Sequence, residues 1–468
     1  MRGRPFSRMV FVSGAALAIV LAGCGQGGGA SSAPATGASS APATGGGGDE
    51  GGVSGNLTTL GFGLPDRHAT ARIDEFQDQF PNVGLTVTQG DLDEQVFLSA
   101  VASGEPPDLV YMARNTIGTY VAQGVLQPLT DCIEASGIDM SQYREAAVNQ
   151  VTVDGVVYGI PEFYNNRILF INNAALDEAG LSAEDVDWSD WGAIADLNEQ
   201  LAVVDGDTVS RIGFDPKLPE FLPLWAYANG GAVLSEDGTE SLLDTPEVIE
   251  ALEFTASLME PYGGRSNFLA FRDTWDFFGG ENEFVQNQLG AFPMEQWYVG
   301  VLAESSPDVD ITFMPFLSRD GEPITFADGS AWAMPVGADD PEAACEFMRV
   351  MTETDTWVAA AQAQADFRAE SDLPYTGVYT ANTEADERVF SEIVEPSGNE
   401  AFDNAREVIL EVQENAYVLP PAPAAAEFDT AWRDAVQRVF DGDQTAEGAL
   451  QQADQEAQDA LDSAAAGG

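Results

Sequence analysis

The chain has 468 residues, and a chain of this length is too long for one hydrophobic core and long enough for two domains of ordinary size. Hydrophobic residues make up 44% of it, which is enough to build the two cores. Asp and Glu together number 77 against 19 Lys and Arg, so the formal net charge is -58 at pH 7. An excess of this size argues against nucleic acid and anionic lipid as partners, and acids scattered along the chain are typical of a surface adapted to high salt.

The N-terminus predicts export. Three arginines precede an apolar stretch, residues 9–21, which is too short to span a bilayer core of about 30 Å. We therefore predict a signal peptide over residues 1–23. The run Leu21-Ala22-Gly23-Cys24 resembles the bacterial lipobox, which implies that Cys24 is lipidated and becomes the mature N-terminus.

Residues 24–55 predict a disordered tether. After the cysteine they are almost entirely Gly, Ser, Ala, Pro and Thr, and the heptapeptide SSAPATG occurs twice. This composition cannot build a core. As a flexible coil it would reach about 30 Å. We expect an extracytoplasmic protein, held to the outer face of the cell membrane through Cys24.

From residue 57 onward the chain has the pattern of an α/β protein. Apolar runs and alternating patterns predict strands at 57–62, 83–87, 106–112, 167–171, 289–292, 311–314 and 331–334, with a hairpin at 151–158. Helical spacing predicts helices at 73–80, 95–103, 117–123, 174–179 and 341–352, over most of 180–261, and through the last fifty residues.

The chain has three cysteines, and the lipobox accounts for the first. Cys132 and Cys345 remain. They predict either a disulfide, which an extracytoplasmic location permits, or two buried thiols.

The sequence has few of the residues and motifs that catalysis and metal binding require. There is one histidine, no Gly-x-Ser-x-Gly, no P-loop and no dinucleotide-binding glycine pattern. Zinc sites need several His or Cys ligands, so we predict no metal and no cofactor. A glycosidase needs only two carboxylates, and that reading stays open as a less favoured alternative.

Several segments, in this order, resemble the extracellular solute-binding proteins of ABC importers. They are ASGEPPDLVYM, GVLQPLTD, DGVVYGIPEFYNNRILFINNAALDEAGL, FVQNQLGAFPMEQW, GSAWAMP, PEAACEFMRVMTE and FDGDQTAEGALQQA. The resemblance is to the carbohydrate-binding branch, which includes maltose-binding protein. It implies an α/β, two-lobe periplasmic-binding-protein fold of the type II kind, with a hinge that the chain crosses three times and a ligand in the cleft.

By the same resemblance, residues 56–160 and 326–372 form lobe one, and residues 161–325 and 373–468 form lobe two. The hinge crossings then lie near 159–162, 323–328 and 371–375. Both remaining cysteines fall in lobe one. The implied partners are a sugar or oligosaccharide and the membrane subunits of an ABC permease, and we expect a monomer.

Aromatic candidates for the ligand site stand where the family places its cleft loops. A pyranose has an apolar C–H face, against which flat aromatic side chains stack. Trp297 follows the strand at 289–292, a position where the family often stacks an aromatic on sugar. The further aromatic candidates are Trp332, Trp225, Trp275, Phe163 and Tyr164. Phe277 and Phe278, beside Trp275, favour ordinary core packing.

Polar candidates follow strand ends, the edge at which open α/β sheets bind ligands. They are Asp66 and Arg67 after the first strand, Arg114 and Asn115 after the third, Asn165 near the first hinge crossing, Glu295 before Trp297, and Arg368. Arg368 corresponds to the family pattern less directly, because Phe367 replaces the usual proline. His68 is interpreted as a solvated side chain.

The sequence therefore predicts a lipid-anchored receptor that binds a sugar or oligosaccharide and delivers it to an ABC permease without making or breaking a bond. Carboxylates beside Trp275 and Trp297 also suit a polyamine, so another small solute stays open as an alternative, whether polyamine, peptide or compatible solute.

Overall fold

The computed structural model describes residues 52–63, 66–413 and 415–467. The predicted signal peptide, Cys24 and nearly all of the predicted tether lie outside these residues. Within the described ranges, no helix is both long enough and apolar enough to cross a membrane.

The described strands are short and are distributed over four sheets. In chain order they are β1 (Gly55–Phe62), β2 (Val83–Gln89), β3 (Leu109–Ala113), β4 (Thr152–Val153), β5 (Val156–Val157), β6 (Gly159–Pro161), β7 (Arg167–Asn172), β8 (Val203–Asp205), β9 (Thr208–Phe214), β10 (Leu289–Glu295), β11 (Ile311–Met314), β12 (Phe316–Leu317), β13 (Pro323–Phe326), β14 (Ser330–Ala333) and β15 (Ala416–Tyr417).

The helices cover the sheet faces and form the C-terminal part of the chain. They are α1 (Arg67–Gln79), α2 (Glu94–Ser103), α3 (Ile117–Ala122), α4 (Thr130–Ser136), α5 (Glu145–Gln150), α6 (Asn173–Ala179), α7 (Trp191–Leu201), α8 (Leu222–Ala228), α9 (Pro246–Ser257), α10 (Arg265–Arg272), α11 (Trp297–Ser305), α12 (Pro341–Thr352), α13 (Thr354–Ala369), α14 (Thr383–Arg388), α15 (Glu400–Gln413), α16 (Ala425–Phe440) and α17 (Ala446–Gly467).

Lobe one is built on a five-stranded sheet with the order β2-β1-β3-β14-β6. β1 runs parallel to β2 and β3, and β14 runs antiparallel to β3 and β6. Helix α1 joins β1 to β2 and buries Ile73 and Phe76 in one core with Leu57. Each such side chain stabilises the fold by about 1.5–3 kcal/mol when removed from water, so this face fixes α1 in place.

Lobe two is built on a second five-stranded sheet with the order β11-β7-β10-β9-β8. β7 lies between β10 and β11, and all of its residues are buried. A strand covered on both faces favours a continuous apolar run over an alternating one, which accounts for the segment RILFIN.

Two connections between the sheets run side by side. The chain passes from β6 to β7 through residues 162–166 and from β13 to β14 through residues 327–329. Asn165 and Asp328 exchange backbone hydrogen bonds of 2.9 and 3.1 Å across this pair. The paired backbones form the floor between the lobes.

The third connection lies further along the chain. α14 stays against lobe one through an ion pair of 2.7 Å between Arg144 and Asp386, whereas α15 packs on β11 of lobe two. The lobe boundaries remain a prediction, and these contacts favour a crossing between Ile393 and Glu400, later than the 371–375 expected from the sequence.

Of the two alternatives predicted for Cys132 and Cys345, a disulfide or two buried thiols, the structure has the disulfide. Cys132 of α4 and Cys345 of α12 are bonded, with their Cα atoms 5.5 Å apart. The bond joins positions 213 residues apart in the chain, and both belong to the core of lobe one.

The prediction that helices dominate residues 180–261 is incomplete, because β8 and β9 lie there. β9 pairs in parallel with β10 and is mostly buried. Its sequence contains Arg211, which donates to the carbonyl of Leu201 at 2.7 Å and pairs with Glu178 at 2.7 Å. These partners allow the charged side chain of Arg211 to be buried within the strand. An arginine at a buried position interrupts the apolar pattern by which a strand is recognised in a sequence.

Candidate functional site

Two adjoining cavities occupy the cleft between the lobes. We name them the Trp297 cavity, of about 470 Å³, and the Arg433 cavity, of about 360 Å³. Asn165, in the first of the paired connections, and Ser330, the first residue of β14, line both, so the cavities meet at the cleft floor. Volumes of this order are typical of small-molecule sites.

Side chains that follow strand ends form the walls of the Trp297 cavity. Asp66, after β1, begins α1 by accepting a hydrogen bond of 2.7 Å from the backbone N–H of Ala69. Trp297 begins α11 two residues after β10 ends. Both side chains line the cavity, one from each lobe.

The indole of Trp297 offers this cavity a flat apolar surface. The side chain is 39% exposed, in contrast to the buried strand before it. Its ring lies 6.2 Å from that of Phe278 at an interplanar angle of 11°, and 6.4 Å from that of Phe277 at 69°. A half-exposed indole held by neighbouring rings is suited to stacking against an apolar ligand face.

A buried guanidinium organises the Arg433 cavity. Arg167 begins β7 and pairs with Glu295 at 3.2 Å and Asp328 at 2.6 Å. Burial by itself raises the pKa of Asp328, but the charge of Arg167 outweighs it and holds the pKa below its ordinary value. Asp328 is therefore an ionised hydrogen-bond acceptor at neutral pH.

Helix α16 provides another wall of the Arg433 cavity. The indole N–H of Trp432 donates to Asp429 at 3.1 Å, and the guanidinium of Arg433 lies 4.4 Å from the Trp432 ring centroid. Burial raises the pKa of Asp429, whose carboxylate lies 3.5 Å from the side-chain amide of Asn115 in lobe one. The Trp432 ring itself is 2% exposed, so this wall presents mainly the polar groups beside it, contributed by both lobes.

Arg368 joins the lobes at the rim of the Trp297 cavity. It lies near the end of α13, donates to the carbonyl of Gly300 at 3.2 Å and pairs with Glu304 of α11 at 2.8 Å. Beside it, Nε2 of His68 lies 3.0 Å from the hydroxyl of Tyr375. Burial lowers the pKa of His68 to about 4, so its imidazole is neutral at pH 7.

The structure brings a subset of the predicted site residues to the two cavities. Those at the Trp297 cavity are Asp66, Phe163, Asn165, Trp297 and Arg368. Those at the Arg433 cavity are Asn115, Asn165 and Glu295. Glu295 therefore faces a different cavity from its near neighbour Trp297. Contact of any of these side chains with a ligand stays a prediction.

Two predicted stacking residues are core residues, and this corrects the sequence interpretation. Trp225 has no exposed surface and donates its indole N–H to the carbonyl of Pro216 at 2.9 Å. Trp332 also has no exposed surface and lies 4.8 Å from the ring of Phe62 in the core of lobe one. An indole enclosed on both faces cannot stack on a ligand.

Four further candidates lie away from both cavities. Tyr164 is buried in the core of lobe one, and Trp275 packs half-buried against the core of lobe two. Arg67 lies over the ring of Phe367 at 3.6 Å. Arg114 is buried and donates to Gln150 at 2.9 Å and to the carbonyl of Phe163, so it holds the first connection in place.

Other lining residues were missed by sequence reasoning. They include His68, Gln296, Tyr375, Tyr379 and Arg406 at the Trp297 cavity, and Arg167, Glu220, Asp328, Asp429, Trp432 and Arg433 at the Arg433 cavity. His68 is half-buried and not the solvated side chain expected. The one sequence feature that could have indicated the Arg433 cavity is the adjacent pair Trp432 and Arg433. Such a pair on a helix can place an apolar ring and a charged group at the same cavity wall.

No group of three or more His, Cys, Asp or Glu side chains in the described ranges is arranged to hold a metal ion. The cavities instead present aromatic faces, amides, carboxylates and guanidinium groups. This inventory suits reversible binding of a neutral polyhydroxylated molecule.

Residues 71–386 match the family of bacterial extracellular solute-binding proteins. The chain belongs to this family. The solute-binding protein is 24% identical over 249 residues to the arabinooligosaccharide-binding protein of Halalkalibacterium halodurans, an alignment that covers 50% of the chain and 52% of that relative. In this alignment the chain spans about half the length of that relative.

A second relative is matched over more of its length. The maltodextrin-binding protein of Bacillus subtilis is 23% identical over 347 residues, which covers 72% of this solute-binding protein and 73% of the relative. Among solved structures, CpMnBP1 with mannotriose bound has a TM-score of 0.69 and 23% identity over 86% of this chain and 99% of that chain. The two-lobe α/β fold class predicted from the sequence is confirmed.

Proposed function

We propose that this protein binds a sugar or oligosaccharide in the cleft between its lobes and delivers it to an ABC permease. The observation that carries the proposal is the pair of adjoining cavities, one with the half-exposed Trp297 and the other lined by amide, carboxylate and guanidinium groups. The relatives named above as binding arabinooligosaccharide and maltodextrin support the same ligand class.

In this proposal Trp297 stacks on the C–H face of one sugar unit. Asn165 at the cleft floor and the carboxylates of Glu295 and Asp328 accept hydrogen bonds from hydroxyl groups. The ion pairs with Arg167 keep those two carboxylates oriented without a ligand, which lowers the ordering cost of binding.

Closure of the lobes accompanies binding in this proposal. The contact of Arg368 with Gly300 and Glu304 joins α13 to α11. In this proposal it stabilises the closed arrangement. A ligand that touches both lobes binds the closed form more tightly and shifts the equilibrium towards it. The permease then recognises the closed form.

The rest of the proposal concerns location. We infer that the chain is exported by the signal peptide at residues 1–23, lipidated at Cys24 and held outside the cell membrane by the tether at residues 24–55. It acts as a monomer and catalyses no reaction, so a bound oligosaccharide should be recovered intact. Products of hydrolysis would instead favour a carboxylate-based glycosidase.

One observation favours a second candidate ligand. The Arg433 cavity has four carboxylates, from Glu220, Glu295, Asp328 and Asp429, against the two guanidinium groups of Arg167 and Arg433. An excess of acids suits a cationic solute such as a polyamine. Neutral sugar is preferred, because Arg167 already pairs with two of these acids.

Thermal melting of the full-length chain with separate ligands tests the choice. The panel contains arabinobiose, maltose, mannobiose and spermidine. Because a ligand of the native state raises the melting temperature by mass action, we expect at least one sugar to raise it and spermidine to leave it unchanged. A rise with spermidine alone would contradict the proposal.

A further inference from the structure

We propose that Phe278 and Trp297 form an outer sugar-binding surface that continues from the cleft and receives additional units of an oligosaccharide. The inference rests on the proposed function and adds a preference for chain length to it. Phe278 lines neither cleft cavity, whereas Trp297 lines the cavity named for it.

Both rings are exposed, which agrees with the ligand-site prediction for Trp297 and differs from the core packing favoured around Trp275. Phe278 is 68% exposed and Trp297 39% exposed. Phe278 does not pack in the core, and its neighbours Trp275 and Phe277 are the rings that pack against it. An aromatic ring left in water beside a cavity that binds ligand can gain free energy from burial when a ligand covers it.

The rings share nearly one orientation. Their planes differ by 11° and their centroids lie 6.2 Å apart. If the planes are separated by a carbon contact distance of about 3.5 Å, the rings are displaced sideways by about 5 Å. The overlap is then small, so the pair presents an extended apolar strip and not a closed stack. Such a strip matches the C–H faces of consecutive sugar units.

A buried aromatic support holds the strip in place. Phe277 stacks on Tyr298 with centroids 4.2 Å apart and planes at 13°, and it meets Phe278 edge to face at 5.1 Å. The hydroxyl of Tyr298 lies 2.8 Å from both the carbonyl oxygen of Phe277 and the carboxyl group of Glu283. The outer surface is therefore ordered before a ligand arrives, which reduces the entropic cost of binding.

The turn that contains Phe278 adds a polar group to the strip. The backbone N–H of Gly279 donates to the carbonyl of Asp276 at 2.8 Å. A Cβ at position 279 would come within 1.9 Å of Oδ2 of Asp276, so glycine permits the carboxylate to lie against the turn. Asp276 is exposed there and can accept hydrogen bonds from sugar hydroxyls beside the rings.

Continuity with the cavity is the reason for assigning a sugar to this strip. One indole, that of Trp297, belongs to both surfaces, so a chain stacked on it inside the cleft leads directly to Phe278 outside. A protein partner would leave the affinity for every sugar length unchanged when Phe278 is altered, and the test below separates the two.

Isothermal titration of the full-length chain with matched sugar lengths tests the inference. The ligands are the di-, tri- and tetrasaccharides of the arabinan, maltose and mannan series. For the series that binds, we expect the Kd to fall at least fivefold from the disaccharide to the tetrasaccharide. Phe278→Ala should abolish that gain, measured as the ratio of the disaccharide Kd to the tetrasaccharide Kd of the same variant, whereas Phe278→Tyr should keep it.

Val285→Ala is the matched control, since it removes an exposed apolar side chain of lobe two that lines neither cleft cavity. A wild-type protein that binds the disaccharide with no gain from longer chains would overturn the outer surface alone. The same holds for a gain that survives Phe278→Ala. Absence of binding to any sugar of any length would overturn the proposed function and this inference together.

Discussion

At the residue scale, tryptophans of similar appearance in the sequence have different environments in the fold. Trp297 is 39% exposed at a cavity wall, whereas Trp225 and Trp332 are fully enclosed. The sequence predicts an aromatic near each strand or helix end but does not predict which face of it water reaches. Trp432 was not predicted to line a cavity, and it is itself a core residue of lobe two, 2% exposed beside the Arg433 cavity.

Replacing Trp297 with Ala should separate binding from stability. We expect a loss of sugar affinity of about tenfold, since an aromatic stacking contact contributes on the order of 1 kcal/mol or more. The melting temperature of the empty protein should change little, because the ring is already partly in water. Titration calorimetry and thermal melting measure the two effects.

Trp225→Ala is the control for Trp297→Ala, because it should lower stability, which Trp297→Ala should leave nearly unchanged. Removing a fully buried indole costs about 3–5 kcal/mol of folding free energy, so this variant should melt at a markedly lower temperature. If Trp297→Ala also lowers the melting temperature and leaves the affinity unchanged, Trp297 is a structural residue and not a ligand contact.

His68 should make stability depend on pH. Burial lowers its pKa to about 4, with Arg72 and Arg368 acting in the same direction and Asp66 opposing them. In the unfolded chain the pKa is about 6.5, so between these values the unfolded state binds a proton that the folded state does not. The stability from this group is fully present above about pH 6.5 and is lost as the pH falls to about 4.

The measurement is the free energy of unfolding in denaturant across that pH range, for the wild type and for His68→Gln. We expect the difference between the two proteins to change with pH, the wild type losing more stability on acidification. Parallel curves would show that His68 has an ordinary pKa and is solvated, as the sequence first suggested.

At the element scale, strands with a continuous apolar run or a clear alternation were predictable, and β9 was not. The segment TVSRIGF carries an arginine whose partners come from α6 and α7, 33 and 10 residues away in the sequence. The paired connections under the cleft could be placed only through family resemblance. Their hydrogen bonds join residues more than 160 apart, which no local pattern encodes.

The contact between α13 and α11 should bias the lobes towards closure. Arg368→Gln removes the ion pair with Glu304, whose side chain is 53% exposed. A pair of this kind contributes about 0.2–1 kcal/mol, so the apparent Kd for sugar should rise by up to about fivefold. Small-angle scattering of the empty variant should give a larger radius of gyration than the wild type.

Arg438→Gln is the control for that experiment, because Arg438 pairs with Glu456 between α16 and α17 of lobe two. Arg438→Gln should change neither the apparent Kd for sugar nor the radius of gyration. An unchanged radius of gyration in Arg368→Gln, or an equal change in both variants, would show that this contact does not act on closure.

At the scale of the whole molecule, charge dominates the behaviour in solution. The formal charge of -58 is spread over the surface, and its repulsion opposes the compact state. Raising KCl from about 0.1 M to about 1 M shortens the screening length from about 10 Å to about 3 Å, so the melting temperature should rise.

A variant in which the exposed acids Asp78, Glu411 and Asp434 become amides should show a smaller salt response. These side chains are chosen because they lie outside both cleft cavities. A melting temperature independent of KCl, or an equal response in the variant, would contradict the account of the acidic surface.

The central claim is that the cleft binds sugar, and direct titration calorimetry tests it most directly. The full-length chain is titrated with arabinotriose, maltotriose, mannotriose and spermidine at constant salt. We predict saturable one-to-one binding of at least one trisaccharide, with the sugar recovered unhydrolysed. Binding of spermidine alone, no heat with any sugar, or recovery of hydrolysis products would contradict the claim.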